Sequence, residues 1–251
     1  MGVMRSRGRR FLALLFLLAG GATGPLGEAR ADEACAAPAA PIVTIETAPP
    51  AMTQDETLSM GELDRLQGVH SMANTVRHAV FGLTQSSRDA VIDVTTGVAP
   101  TAHGRYCGWI ARIRVVLTPR IRVHIAREAT PNPCFRDYVL AHELRHVAVE
   151  RSAVPAEALY VQGRLQDAAA AIPAREFPAG ASQGAWAREA MAQLGIELRR
   201  IIEEVVPQRQ SRHRQEVDEP DQGSGSSVCG GFGAGLVEAY RQQVASAASV
   251  Y

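Results

Sequence analysis

The sequence predicts an α+β fold in which an antiparallel strand pair packs against helices. Three observations lead there. Between Trp109 and Ala126 residue character alternates, with Ile121, Val123 and Ile125 on one side and Arg120, Arg122 and His124 on the other, as in strands buried on one face. From Asn132 to Val206 the punctuation is helical, with a capping Asn and prolines at helix starts and stops. Finally, 251 residues at 46% hydrophobic and 21% charged suffice to bury a core and are too apolar for a wholly disordered chain.

Residues 1–31 read as an export signal. Arg5, Arg7, Arg9 and Arg10 precede the apolar run Phe11 to Ala19, glycines and Pro25 break it, and Ala29-Arg30-Ala31 is a small-x-small cleavage site. The run is far shorter than the roughly 20 residues a bilayer span needs. Cleavage after Ala31 is therefore expected, with a periplasmic or secreted destination and no membrane attachment afterwards.

Residues 32–55, rich in Ala, Pro and Thr, read as a leader segment with one β-like run at Ile42 to Ile45. Residues 56–251 read as a single domain. Ser59 with Glu62 three residues on forms a capping box at the start of a helix. Asp89 to Val94 reads as a short strand and Gly97 to Gly108 as a loop. Thr118-Pro119 interrupts the alternation that follows, which predicts two strands joined by a tight turn. Asn132 and Pro133 open a helix to about Arg151, and Pro155 opens another to about Ile172. A loop follows to Gly184, then a helix to Val206 that Pro207 stops. A polar stretch over 208–230, most flexible-looking at Gly223 to Ser227, and a short helix over 236–248 complete the chain.

All 26 basic side chains are arginine, balanced by 26 acidic ones. Zero net charge argues against nucleic-acid binding, which needs a basic excess. Loss of residues 1–31 removes five arginines and one glutamate and leaves 21 basic against 25 acidic side chains, which strengthens that exclusion. Export would place Cys35, Cys107, Cys134 and Cys229 in an oxidising compartment, where disulfides are expected. Cys107 with Cys134 is the favoured pair, because a strand hairpin between them would bring them together, leaving Cys35 with Cys229.

One motif carries chemistry. His142-Glu143-Leu144-Arg145-His146 is an H-E-x-x-H sequence within the best-signalled helix. Four residues are just over one helical turn, so both imidazoles project from one face and can share a metal ion. Zinc (Zn2+) suits two imidazoles and one oxygen ligand, with a fourth position open for a water whose pKa falls towards about 7. Glu143, adjacent to the first ligand, is placed to act as general base. With seven His and seventeen Glu in 251 residues, chance gives on the order of 0.01 such matches. Candidates for the third ligand are Asp218, Glu157, Glu150 and His213; Glu150 shares the face but lies about 6 Å further along the axis from His146.

The stretch from Cys107 to Glu150, with its two cysteines, strand pair and H-E-x-x-H helix, resembles a bacterial family of exported proteins predicted to be zinc-dependent proteases. Such proteins carry a downstream aromatic-Asp-x-x-Thr-x-His-Gly motif. The comparable stretch here is Val217 to Ser224, where Asp218 matches and Asp221 and Gly223 replace the Thr and His. The resemblance implies a zincin-like α+β fold, a peptide or protein substrate, and Asp218 as the third ligand beside His142 and His146. It implies peptide hydrolysis by a metal-bound water, Glu143 serving as base. The substitutions at 221 and 223, with Arg145 inside the motif, motivate an alternative: an exported metal-binding or interaction protein of that fold without activity.

Other features take structural readings. His70 and His78, eight apart, and His103 in a loop are expected to be solvated or structural, and His124 to be surface-exposed. The arginines between Arg112 and Arg127 are expected to form a solvated strand face, with edge pairing to an extended peptide as the less favoured reading.

Overall fold

The computed structural model describes residues 35–67, 79–101, 104–178, 182–219 and 227–248. The expected export signal, the His70/His78 pair, His103 and Gly223 to Ser226 lie outside them. The described chain is a mixture of helices and one open sheet. In order it forms β1 (Ile42–Thr47), β2 (Ala51–Asp55), α1 (Met60–Gln67), β3 (Gly82–Pro100), β4 (Tyr106–Ile125) and α2 (Pro133–Ala170). Then come β5 (Arg175–Phe177), α3 (Ser182–Glu204), α4 (Val206–His213), a π-helical turn at Arg214–Asp218, a 3-10 turn at Val228–Gly231 and α5 (Phe232–Ala248).

The sheet is organised around β4. β3 pairs with it antiparallel from end to end, Gly82 opposite Ile125 and Pro100 opposite Tyr106. β1 and β2 pair with β4 in parallel, over Arg112 to Leu117 and Arg120 to His124, and β5 pairs antiparallel at Tyr106 to Gly108. Because β3 fills one edge of β4, these three short strands share the other. Two strands of the sheet therefore come from 32–55, the segment expected as a leader.

β4 runs straight through Thr118-Pro119, so the expected tight turn is absent. Pro119 falls between the stretches paired with β1 and β2, where its missing N–H is tolerated. The antiparallel partner is β3, which extends well beyond the expected strand at 89–94 and into the expected loop at 97–108. With both its edges occupied, β4 has no free edge to offer a peptide.

The alternation along β4 is real. Ile113, Val115 and Leu117 pack with Val161 and Leu165 of α2 and with Leu194, Leu198 and Ile201 of α3. Ile121, Val123 and Ile125 pack with Phe135, Val139 and Val147 at the other end of α2. Strand and helix thus run antiparallel, and their lengths match: 20 strand residues span about 66 Å and 38 helical residues about 57 Å.

α2 starts where expected, with the Asn132 side chain accepting from Phe135 N and Pro133 at its first position. It does not stop near Arg151 but continues through Pro155. The buried stripe Val147, Glu150, Val154, Glu157, Val161 keeps its three-and-four spacing across the proline, and that burial offsets an intrinsic cost of about 3 kcal/mol. Pro207 begins α4 rather than ending the chain's helical run, so the polar stretch after it is helical over 208–218.

The cysteines pair as Cys35–Cys107 and Cys134–Cys229, not as Cys107–Cys134 and Cys35–Cys229. An uninterrupted β4 explains the correction, since Cys107 lies near its start and Cys134 beyond its far end. The second bridge ties the first turn of α2 to the turn preceding α5. At the domain's other margin the Ser59/Glu62 capping box forms as expected, Glu62 Oε2 accepting from Ser59 N at 2.7 Å. Tyr240 of α5 donates to Asp64 of α1 at 2.6 Å. No described helix is long and apolar enough to cross a membrane.

Candidate metal centre

His142 and His146 project from the same face of α2 one turn apart, and their Nε2 atoms lie 3.1 Å from each other. Asp218 closes the group, its Oδ1 lying 3.6 Å from His142 Nε2 and 3.2 Å from His146 Nε2. Among the described residues these three form a group with metal-ligating potential. Two imidazole nitrogens and a carboxylate oxygen this close require a proton or a cation among them. Tetrahedral bonds of about 2.0–2.2 Å to a zinc ion would imply donor–donor edges of about 3.3–3.6 Å. One edge of the triangle falls in that range and the other two are shorter, at 3.1 and 3.2 Å.

Asp218 is 72 residues from His146 in sequence, and the π-helical turn brings it in. Glu219 N donates to Arg214 O at 2.9 Å, an i to i+5 bond. Five residues at about 100° each would leave two α-helical side chains about 140° apart. In a π-turn five residues make about one turn, so His213 and Asp218 face the same way. Burial would raise the Asp218 carboxyl, yet its hydrogen bonds with His142 and His146 hold it well below the usual carboxylate range.

Glu143 lies on the neighbouring, buried stripe of α2 and is 3% exposed. Thr84 Oγ1 donates to its Oε2 at 2.7 Å. Burial pushes the carboxyl above the ordinary glutamate value, opposed by that hydrogen bond and by the charges of His146 and His142. A Cβ on Gly82 would collide with its Oε1, so a residue without a side chain is needed opposite it.

The remaining candidate ligands have other work. Glu150 and Glu157 repeat Glu143 at intervals of seven on the buried stripe, and each is met by two guanidinium groups. Arg88 Nη2 reaches Glu150 Oε2 at 2.8 Å and its Nε reaches Glu157 Oε2 at 2.9 Å. From α4, Arg209 Nη1 reaches Glu150 Oε2 at 3.2 Å and its Nε reaches Glu157 Oε1 at 3.0 Å. Burial works to raise the Glu150 carboxyl, but hydrogen bonds from His213 and Arg88 and the charges of Arg209 and Arg88 hold it down to about 2. His213 sits on the far side of the His146 ring, its Nδ1 2.9 Å from His146 Nδ1.

Sequence reasoning missed Gly82, Thr84, Ser86, Arg88 and Arg209. The signal was present in the glutamates spaced seven apart and in alternate residues of β3, where 82, 84, 86 and 88 are glycine or polar. His124, expected at the surface, is 2% exposed. Gln85 of β3 lies 3.0 Å from its Nε2, and Asp55 of β2 lies 3.4 Å from its Nδ1. Neighbours on both edges of β4 thus bury it, and burial lowers its pKa despite the attraction of Asp55.

Fold and site together define a mixed α/β protein carrying a His–His–Asp cluster on a long helix, with a buried carboxylate beside it. Comparison with family models, curated proteins and solved structures finds no match.

Proposed function

We propose that this protein is an exported zinc-dependent peptidase of zincin-like fold, with His142, His146 and Asp218 as metal ligands and Glu143 as general base. One observation carries the reading: two imidazole nitrogens and a carboxylate oxygen, separated by 3.1, 3.2 and 3.6 Å and thus close enough to share one metal ion, lie beside a buried glutamate. Zinc bound there would polarise the substrate carbonyl and lower the pKa of water towards about 7. Glu143 is suited to take the proton from water and pass it to the leaving amine. Its raised pKa brings it nearer the range where a carboxylate both accepts and returns a proton. The Thr84 hydrogen bond holds the carboxylate through Oε2. Two disulfides and the export signal read at residues 1–31 support an extracytoplasmic location.

The test uses oxidised protein purified without chelator. Wild type and Glu143→Ala are both expected to hold one zinc per chain, and only wild type is expected to cleave a mixed peptide library. Absence of stoichiometric zinc sinks the metal centre. Zinc with the same background cleavage in both proteins sinks the peptidase and leaves an exported metal-binding protein.

A further inference from the structure

His146 has two ring nitrogens, and the one facing away from Asp218 is also engaged. Its Nδ1 lies 2.9 Å from His213 Nδ1, and His213 Nε2 lies 2.7 Å from Glu150 Oε1. The other oxygen of Glu150 accepts from Arg88 Nη2 at 2.8 Å and from Arg209 Nη1 at 3.2 Å. This chain is continuous, and much of it is buried: the side chain of Glu150 is 4% exposed and that of His213 is 17% exposed.

Each contact orients the next. Two guanidinium groups on Oε2 keep Glu150 ionised, so it can only accept, and His213 must carry its proton on Nε2. His213 Nδ1 then meets His146 Nδ1 and holds that edge of the ring. His146 Nε2 is thereby turned towards His142 and Asp218. A metal ion on Nε2 would leave the His146 proton on Nδ1, where His213 can accept it. His142 Nδ1 lies 3.3 Å from Nη2 of Arg145.

We infer that His213 is a positioning residue that sets the tautomer and ring orientation of His146, so that His146 binds metal through Nε2. The inference rests on the metal centre proposed above and assigns it an outer support running His146, His213, Glu150, Arg88 and Arg209. One short segment then supplies both a ligand, Asp218, and the group that orients another ligand. Arg209, four residues before His213, anchors that segment to Glu150 and Glu157.

The experiment measures zinc affinity by competition with a chelating indicator for wild type, His213→Ala and His213→Gln. Nitrogen-15 NMR of zinc-loaded wild type at pH 8 reads the histidine tautomers. Loss of an outer-shell partner of a metal-ligating histidine typically costs about 10–100-fold in affinity, and that loss is expected for His213→Ala. His213→Gln retains one acceptor and one donor and is expected to recover most of it. The spectrum is expected to place the His146 proton on Nδ1 and the His213 proton on Nε2. An Ala variant that binds zinc as tightly as wild type overturns the inference. So does a spectrum with His146 protonated on Nε2 or with His213 protonated on both nitrogens, which needs no variant to fold. Wild type that binds no zinc is a different result: it removes the metal centre itself.

Discussion

Gly82 leaves the space that the Glu143 side chain fills. A Cβ there would collide with Oε1 and would lie 2.8 Å from both Glu143 Cγ and Val139 Cγ1. Glutamate is flexible, but this one is buried and held by Thr84, so it cannot move aside without losing that bond. Gly82→Ala is expected to cost about 1–3 kcal/mol of stability, the usual range for overpacking. It should also lower peptide turnover at unchanged zinc content. Urea unfolding and single-substrate kinetics check both effects, and unchanged values in both would show that the carboxylate has room to spare. H-E-x-x-H was visible at a glance. The glycine opposite it was not, because nothing local distinguishes it from the chain's other 21 glycines.

A single face of β3 reads the buried stripe of α2. Gly82 and Thr84 serve Glu143, Ser86 accepts from Arg209 at 3.0 Å, and Arg88 joins Glu150 to Glu157. Beyond Arg88 the same face turns apolar with Ala90, Ile92 and Val94, which pack on the main core. The polar half builds the site and the apolar half secures it. Such a cluster is worth little as net stability but is costly to break, since removing one member strands a buried charge.

Glu150 carries the pH dependence at this scale. Its folded pKa of about 2 lies below the ordinary 4.5, so its contribution is fully present above 4.5 and is lost as pH falls towards 2. That contribution is on the order of 3 kcal/mol. Glu150→Gln is expected to lower stability at pH 7 and to flatten the stability profile between those values. Chemical denaturation at pH 7, 4 and 3 measures this, and an unchanged slope in the variant would assign the acid sensitivity to other carboxylates.

At the scale of the whole molecule, the two disulfides hold what the helices do not. Cys35–Cys107 fastens the segment preceding β1 to the start of β4, and Cys134–Cys229 joins the start of α2 to the chain that follows Asp218. The second bridge closes 95 residues, which corresponds to about 2–5 kcal/mol. Cys134→Ser/Cys229→Ser is expected to lower the unfolding free energy by that amount. Zinc affinity should fall as well, because the helical segment carrying His213 and Asp218 lies within the span that the bridge closes. A double variant with wild-type stability and affinity would show that packing of α4 on α2 suffices to hold the ligand segment.

The sequence by itself determined the features written in local pattern: the H-E-x-x-H pair on a helix, the alternation of β4, the Ser59 capping box and the Asn132 cap. Each depends on residues within a turn or two of one another, so spacing alone reveals it. Tertiary structure decided the rest. It kept β4 straight through Pro119 and α2 helical through Pro155, because long-range burial outweighed local breakers. It exchanged the cysteine pairing, since a straight strand separates Cys107 from Cys134. It brought Asp218 to the histidines through a π-turn and sent Glu150, Glu157 and His213 to support roles. Those choices depend on which distant charges meet in the interior, and β3 and α4 supply the partners.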